Sequence, residues 1–251
     1  ADSITANNGT NVIDAGTEND TITATSGNNT ITAGDGDDTI NLIDGTNSVL
    51  AGSGVDTITI DSGTNTINAG EGNDTITASG GTNTIATGSG DNTVELNAGT
   101  NKVTAGSGAD SITANSGTNT ITAGDGDDTI NLNDGINSVV AGIGVDTITV
   151  TSGTNKMDAG EGADVITLNG GNNTVFGSSG ADSIIANNGT NVIDAGTEND
   201  TITAASGNNT ITAGDGDDTI NLNDGTNSVL AGTGVDTITV ASGINTIDAG
   251  D

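Results

Sequence analysis

An aspartate returns every 18 residues along the chain: Asp2, Asp20, Asp38, Asp56, Asp74, Asp110, Asp128, Asp146, Asp164, Asp182, Asp200, Asp218 and Asp236, with Asn92 in the one gap. Most of these acids close a phrase of the form A-G-x-G-x-D. Its glycines include Gly34 and Gly36, Gly52 and Gly54, Gly70 and Gly72, Gly106 and Gly108, Gly124 and Gly126, Gly142 and Gly144, Gly214 and Gly216, and Gly232 and Gly234. Glycine reaches positive φ without steric cost, so its carbonyls can turn toward the point where the carboxylate lies. An oxygen-only donor set suits a hard cation of flexible coordination, which is Ca²⁺ and not zinc or copper. If the acids stack at strand spacing, about 4.8 Å apart, neighbouring charges repel by about 0.9 kcal/mol in water and by more when buried. Such a row calls for a counter-charge, so several structural calcium ions are expected along one edge, held by these Asp and Gly residues.

The period itself says what must position them. In steps of 18 the chain reads as fourteen residues, thirteen full repeats from Ala15 to Asp248, and a final AGD, with no insertion. A fixed period of this kind is the mark of a solenoid, whose coils bury their apolar residues only by stacking. Counting each repeat from its first residue, usually Ala, position 8 is Ile in thirteen of fourteen coils and position 17 is Ile or Val except for Met157. T-I-T-A and T-I-N-L then read as short strands with 7 and 9 outward and 8 and 10 inward. The expected fold is all-β, a parallel β-solenoid or β-roll of about 14 coils, with two short strands per coil joined by turns of about six residues. Residues 1–251 read as a single uninterrupted array under a 90-residue super-period, since AGDGDDTIN recurs at 33, 123 and 213. The array is expected to belong to a longer array or polymer, with end-to-end or lateral self-association. The outward Leu50, Val140 and Leu230 and the turn residues Val55, Val145 and Val235 recur with the longer rhythm and could serve such contacts.

Composition narrows the function. There are 41 Gly, no Pro, Cys, His, Trp or Tyr, one Phe and one Met, and the net charge is −32. A chain whose only cations are Lys102 and Lys156 is not built to bind nucleic acid or anionic membranes. It contains no apolar run long enough for a signal peptide or a membrane span, so no membrane insertion is expected. Without His, Cys, Arg or Tyr the usual nucleophile–base pairs cannot be assembled, and an enzyme is not expected.

The stretches 33-AGDGDDTIN-41, 51-AGSGVDTIT-59, 69-AGEGNDTIT-77, 105-AGSGADSIT-113 and 213-AGDGDDTIN-221 resemble the RTX, or haemolysin-type, calcium-binding nonapeptide G-G-x-G-x-D-x-(apolar)-x, with Ala for the first Gly. The resemblance covers the whole chain. It implies a parallel β-roll folded on Ca²⁺, secreted and extracellular or at a bacterial-type cell surface, with the position-6 Asp as side-chain ligand and adjoining Gly carbonyls completing the set.

One departure is systematic. The second half of every coil has Gly at position 13 and Asn at position 15, never Asp: Asn11, Asn29, Asn47, Asn65, Asn83, Asn101, Asn119, Asn137, Asn155, Asn173, Asn191, Asn209, Asn227 and Asn245. Stacked amides can donate to one neighbour and accept from the other, so a metal-free structural ladder is expected there. A competing reading makes both turns plain Asn, Asp and Gly turns with no metal. The outward pairs Thr21 and Thr23, Thr57 and Thr59, Thr75 and Thr77, Thr147 and Thr149, Thr201 and Thr203, and Thr237 and Thr239 resemble the T-x-T faces of β-solenoid antifreeze proteins, which makes ice a second candidate partner. The first expectation is an extracellular calcium-stabilised structural solenoid, a filament, surface-layer or adhesin-stalk segment. The alternatives are an ice-binding module, or the calcium-dependent folding module of a larger secreted toxin or enzyme.

Overall fold

The computed structural model describes residues 1–250 and forms two compact units, Ala1–Asp125 and the stretch from Gly126 onward. Each unit is a parallel β-solenoid of seven coils with two sheets, and among the described residues there is no helix. In the first unit one sheet holds four-residue strands such as Thr21–Ala24, Thr39–Leu42, Thr57–Ile60 and Thr75–Ala78. The other holds eight-residue strands such as Asn28–Asp35, Thr46–Ser53 and Thr64–Glu71. The second unit repeats the pattern with Thr147–Val150, Val165–Leu168 and Thr201–Ala204 against Thr154–Glu161, Asn172–Ser179 and Asn208–Asp215.

Every pairing is parallel and in register at the repeat length, so like stacks on like: Ile22 on Ile40, Asn29 on Asn47, Gly34 on Gly52. A slip of one residue would turn each strand's apolar set outward, and the burial of one face fixes the register. The short strands bury positions 8 and 10, as in Ile22 with Ala24 and Ile58 with Ile60. The long strands bury positions 15, 17 and the next coil's 1, as in Asn29, Ile31 and Ala33. The core is thus a thin double layer of Ile, Leu, Val and Ala, with Asn and Asp at its two ends.

The turns are shorter than the six residues expected. Thr25–Gly27 and Gly36–Asp38 each leave three residues between strands, because the long strand begins already at Asn28 and runs on through the Ala33-Gly34 of the A-G-x-G-x-D phrase to Asp35. Its Ala is core and its Gly pairs with its counterpart in the next coil. That pairing brings backbones close: a Cβ on Gly52, at φ +128°, would lie 1.8 Å from the Gly34 carbonyl oxygen. A side chain fits at this place only where the backbone takes another φ, as at Ser178, which pairs with Gly160 and Gly196. Glu18, Glu198 and Ser178 occupy the equivalent left-handed region with side chains, at φ 81°, 75° and 79°.

Candidate metal centre

The acids of position 6 face into the solenoid. Asp38, Asp56 and Asp74 in the first unit and Asp146, Asp164 and Asp200 in the second are at most 1 % exposed. Each is held through one oxygen by the main chain of the coil before it. Asp20 N–H donates to Asp38 Oδ1 at 2.7 Å, and Asp38 to Asp56 and Asp56 to Asp74 at 2.8 Å. In the second unit the bond runs from Asp128 to Asp146, Asp146 to Asp164, Asp164 to Asp182, Asp182 to Asp200 and Asp200 to Asp218, each at 2.8 Å, and from Asp218 to Asp236 at 3.0 Å. Asp2 lies in the first, exposed coil, and Asp110 accepts from Asn92 N–H at 2.8 Å.

The second oxygen is the anomaly. Oδ2 of Asp20, Asp38, Asp56, Asp74, Asp146, Asp164, Asp182, Asp200, Asp218 and Asp236 is buried and meets no hydrogen-bond donor. Buried carboxylate oxygens without partners are costly and rare. Burial accordingly pushes the carboxyls of Asp56, Asp146, Asp182 and Asp200 up, against the lowering effect of the N–H bond and with a further push from neighbouring acids. Asp56, Asp146 and Asp182 rise to about 6 and Asp200 to about 7. Asp38, Asp74, Asp110, Asp164 and Asp218 shift the same way, mainly by burial.

No side-chain cation answers the row: among the described residues the ion pairs are those of the α-amino group with Glu18 and Asp20. Lys156 instead lies 5.8 Å from the centre of the Phe176 ring, on the outer face of the long-strand sheet. A row of orphaned, inward, carboxylate oxygens beside glycine backbone fits a calcium ion by donor type. No three His, Cys, Asp or Glu side chains converge among the described residues, so main-chain carbonyls would have to complete the coordination. The candidates are the position-2 and position-4 glycines of the full coils, whose φ values run from 103° to 147°.

At the other end of the core the Asn residues form a continuous hydrogen-bonded column in each unit. Asn29 Nδ2 donates to Asn47 Oδ1, Asn47 to Asn65 and Asn83 to Asn101 at 2.8 Å, and Asn65 to Asn83 at 2.9 Å. The second unit repeats this from Asn137 through Asn155, Asn173, Asn191, Asn209 and Asn227 to Asn245 at 2.7 to 2.8 Å. The second amide hydrogen donates to the carbonyl three residues back, as from Asn65 to Ser62 at 3.0 Å. These amides are satisfied where the acids are not.

The Thr pairs lie on the outer face of the short-strand sheet, with Thr21, Thr57, Thr75, Thr147 and Thr201 exposed and Thr23, Thr59, Thr77, Thr149 and Thr203 half-buried. Thr57 and Thr59 pair with Thr75 and Thr77 to make a block of four, but Asn41 and Glu95 flank it on either side. Thr147 and Thr149 adjoin Asn131 and Val165, and Thr237 and Thr239 adjoin Thr219 and Asn221. A feature not anticipated from the sequence is a second Thr array on the long-strand sheet, where Thr64 and Thr66 pair with Thr82 and Thr84. Its signal, T-N-T around Asn65 and Asn83, is plain once the strand is known to begin there.

The model for the RTX calcium-binding nonapeptide repeat matches residues 1–22, 15–42, 23–58, 59–94, 96–130, 104–139, 131–166, 140–175, 167–202 and 194–229. The chain belongs to the RTX calcium-binding nonapeptide repeat family. Calcium binding is therefore a property of its repeats. No curated protein matches the RTX chain. Among solved structures it is similar to a hyperactive, Ca²⁺-dependent, β-helical antifreeze protein from an Antarctic bacterium, with a TM-score of 0.66 and 23 % identity over 99 % of this chain and 81 % of that one. At that identity the likeness speaks for the fold.

Proposed function

We propose that this RTX chain is an extracellular structural solenoid, a segment of a filament, surface layer or adhesin stalk, stiffened by calcium along its acid row. The observation that carries this is the set of buried Asp Oδ2 atoms that meet no donor. Calcium would supply the positive charge that the row lacks. The position-6 Asp residues would hold it with carbonyls of the adjoining glycines, while the Asn column closes the other end of each coil without metal. The main chain fixes each carboxylate by its Oδ1 and so keeps Oδ2 aimed inward. With a core only two side chains thick, the coils depend on this counter-charge for their stacking. The array of residues 1–251 acts as one continuous repeat element, and the exposed Leu50, Val140 and Leu230 offer apolar points for lateral self-contact.

The test is far-ultraviolet circular dichroism of the chelated protein during calcium titration, with magnesium as control. A cooperative, calcium-specific gain of β-structure is the expected result; full β-structure in chelator would refute it.

A second reading, ice binding, draws on the Thr57, Thr59, Thr75 and Thr77 block and on the likeness to a Ca²⁺-dependent antifreeze protein. Ice-plane affinity of the calcium-loaded protein separates it from the first.

A further inference from the structure

One coil of the first unit departs from the rest at two buried places. Position 6 is Asn92 and position 1 is Thr87 instead of Ala. Asn92 is 1 % exposed and takes up the same main-chain bonding as the acids: its Oδ1 accepts from Asp74 N–H at 2.9 Å, and its own N–H donates to Asp110 Oδ1 at 2.8 Å. With Oδ1 so placed, Nδ2 stands where Asp56 and Asp74 carry their orphaned Oδ2. There it donates to the Gly90 carbonyl oxygen at 2.8 Å. The atom that is unsatisfied in the acid coils is therefore satisfied here, by a donor belonging to the chain. Thr87, fully buried, adds a second bond of its own: its hydroxyl donates to the Ala105 carbonyl oxygen of the next coil at 2.5 Å.

We propose that the coil Thr87–Thr104 is closed by its own amide and hydroxyl and takes no calcium through position 6, so that it interrupts the ion row of the first unit. The inference rests on the reading above that the acid row holds the ions elsewhere. An amide N–H₂ presents hydrogens, not lone pairs, to the space where a cation would sit, and its contact with Gly90 occupies the carbonyl that an ion would use. The interruption also separates Asp74 from Asp110 by two strand spacings in place of one, about 9.6 Å, which halves their Coulomb repulsion. The coil is thus a metal-independent clamp between two stretches that need metal.

Bound calcium is counted by elemental analysis after equilibrium dialysis at saturating calcium, on the full chain and on Asn92→Asp, Asn92→Ser and Asp56→Asn, each checked by circular dichroism. Asn92→Asp is expected to gain at least one ion, Asn92→Ser to bind as many as the parent, and Asp56→Asn to lose at least one. An unchanged count in Asn92→Asp, with the loss in Asp56→Asn still seen, overturns the clamp while leaving the acid-row reading intact. A lower count in Asn92→Ser would put Asn92 among the ligands and overturn it too, and this variant decides the matter if Asn92→Asp does not fold. An unchanged count in Asp56→Asn overturns the acid-row reading itself.

Discussion

The backbone N–H of Asp56 donates to Oδ1 of Asp74 in the next coil at 2.8 Å, and Oδ2 of the same Asp74 meets no donor at all. One carboxylate thus does two jobs with two atoms: one oxygen ties adjacent coils together through the main chain, and the other waits inside the solenoid for a positive charge. Because the first bond fixes the side chain, the second oxygen cannot escape to solvent by rotation. The repulsion along the row is built into the register of the sheets.

Stability without calcium should therefore fall as pH rises. Burial lifts Asp56, Asp146 and Asp182 to about 6 and Asp200 to about 7, above the ordinary value of 3.8. A carboxyl whose folded pKa is raised holds its proton more tightly in the folded state. Its contribution is fully present below the unfolded value and is lost as pH climbs through the folded one. In chelator the melting temperature is expected to drop between about pH 4 and about pH 8, and with saturating calcium the trend should reverse because the ion needs the carboxylate. Thermal melts at several pH values in both conditions decide it; a chelated protein that is more stable at the alkaline end contradicts the prediction.

The Asn column should be indifferent to calcium. Asn65 donates to Asn83 Oδ1 at 2.9 Å and to the Ser62 carbonyl at 3.0 Å, and accepts from Asn47 Nδ2 at 2.8 Å. Asn65→Ala leaves those three groups buried without their bonds and is expected to cost about 3 kcal/mol. Asn65→Asp should cost more, since it turns a carboxylate oxygen toward two acceptors. Urea melts at two calcium concentrations should give the same loss at both.

Glycines of the same conformation should differ sharply in tolerance. Gly52 and Gly9 both have positive φ, 128° and 94°, but a Cβ on Gly52 would meet the Gly34 oxygen at 1.8 Å whereas one on Gly9 meets nothing within 4 Å. Gly9→Ala is expected to cost about 1–2 kcal/mol, the strain of a left-handed alanine alone. Gly52→Ala must also push two coils apart and should abolish the cooperative melt, which circular dichroism reads directly.

Thermal hysteresis offers a fourth check. The Thr block at Thr57, Thr59, Thr75 and Thr77 spans two coils and ends against Glu95. A charged, hydrated side chain beside so short an array is a poor match to a crystal plane. The calcium-loaded protein is expected to show no hysteresis beyond the colligative effect, and a measurable gap between melting and freezing would favour the ice reading instead.

Much of this architecture is legible in the residues. Ile22, Ile40 and Ile58 mark the inward side of the short strands, and the 18-residue step alone puts Asp on Asp and Asn on Asn. The extent of the long strand is less legible, because Ala33-Gly34 looks like turn chemistry while its side-chain burial and pairing make it ladder. The partners of Asn92 and Thr87 are hidden for a different reason. Gly90 is two residues from one and Ala105 is 18 from the other, and which carbonyl each reaches depends on the path of the backbone and not on residue type. The tolerance of Glu198 at a left-handed position is explained only by geometry: its carboxylate reaches back to accept from Gly180 N–H at 2.9 Å.

Within each unit the Asn column hands its hydrogens to the coil of higher number, from Asn29 to Asn47 to Asn65 and from Asn155 to Asn173 to Asn191. The column therefore has a sense. Aligned amides add their dipoles as the peptides of a helix do, with the amide oxygens facing one way along the axis and the NH₂ groups the other. A coil turned end for end would set nitrogen against nitrogen, so within each unit only one direction of stacking is permitted, as in a zip whose teeth engage from one side.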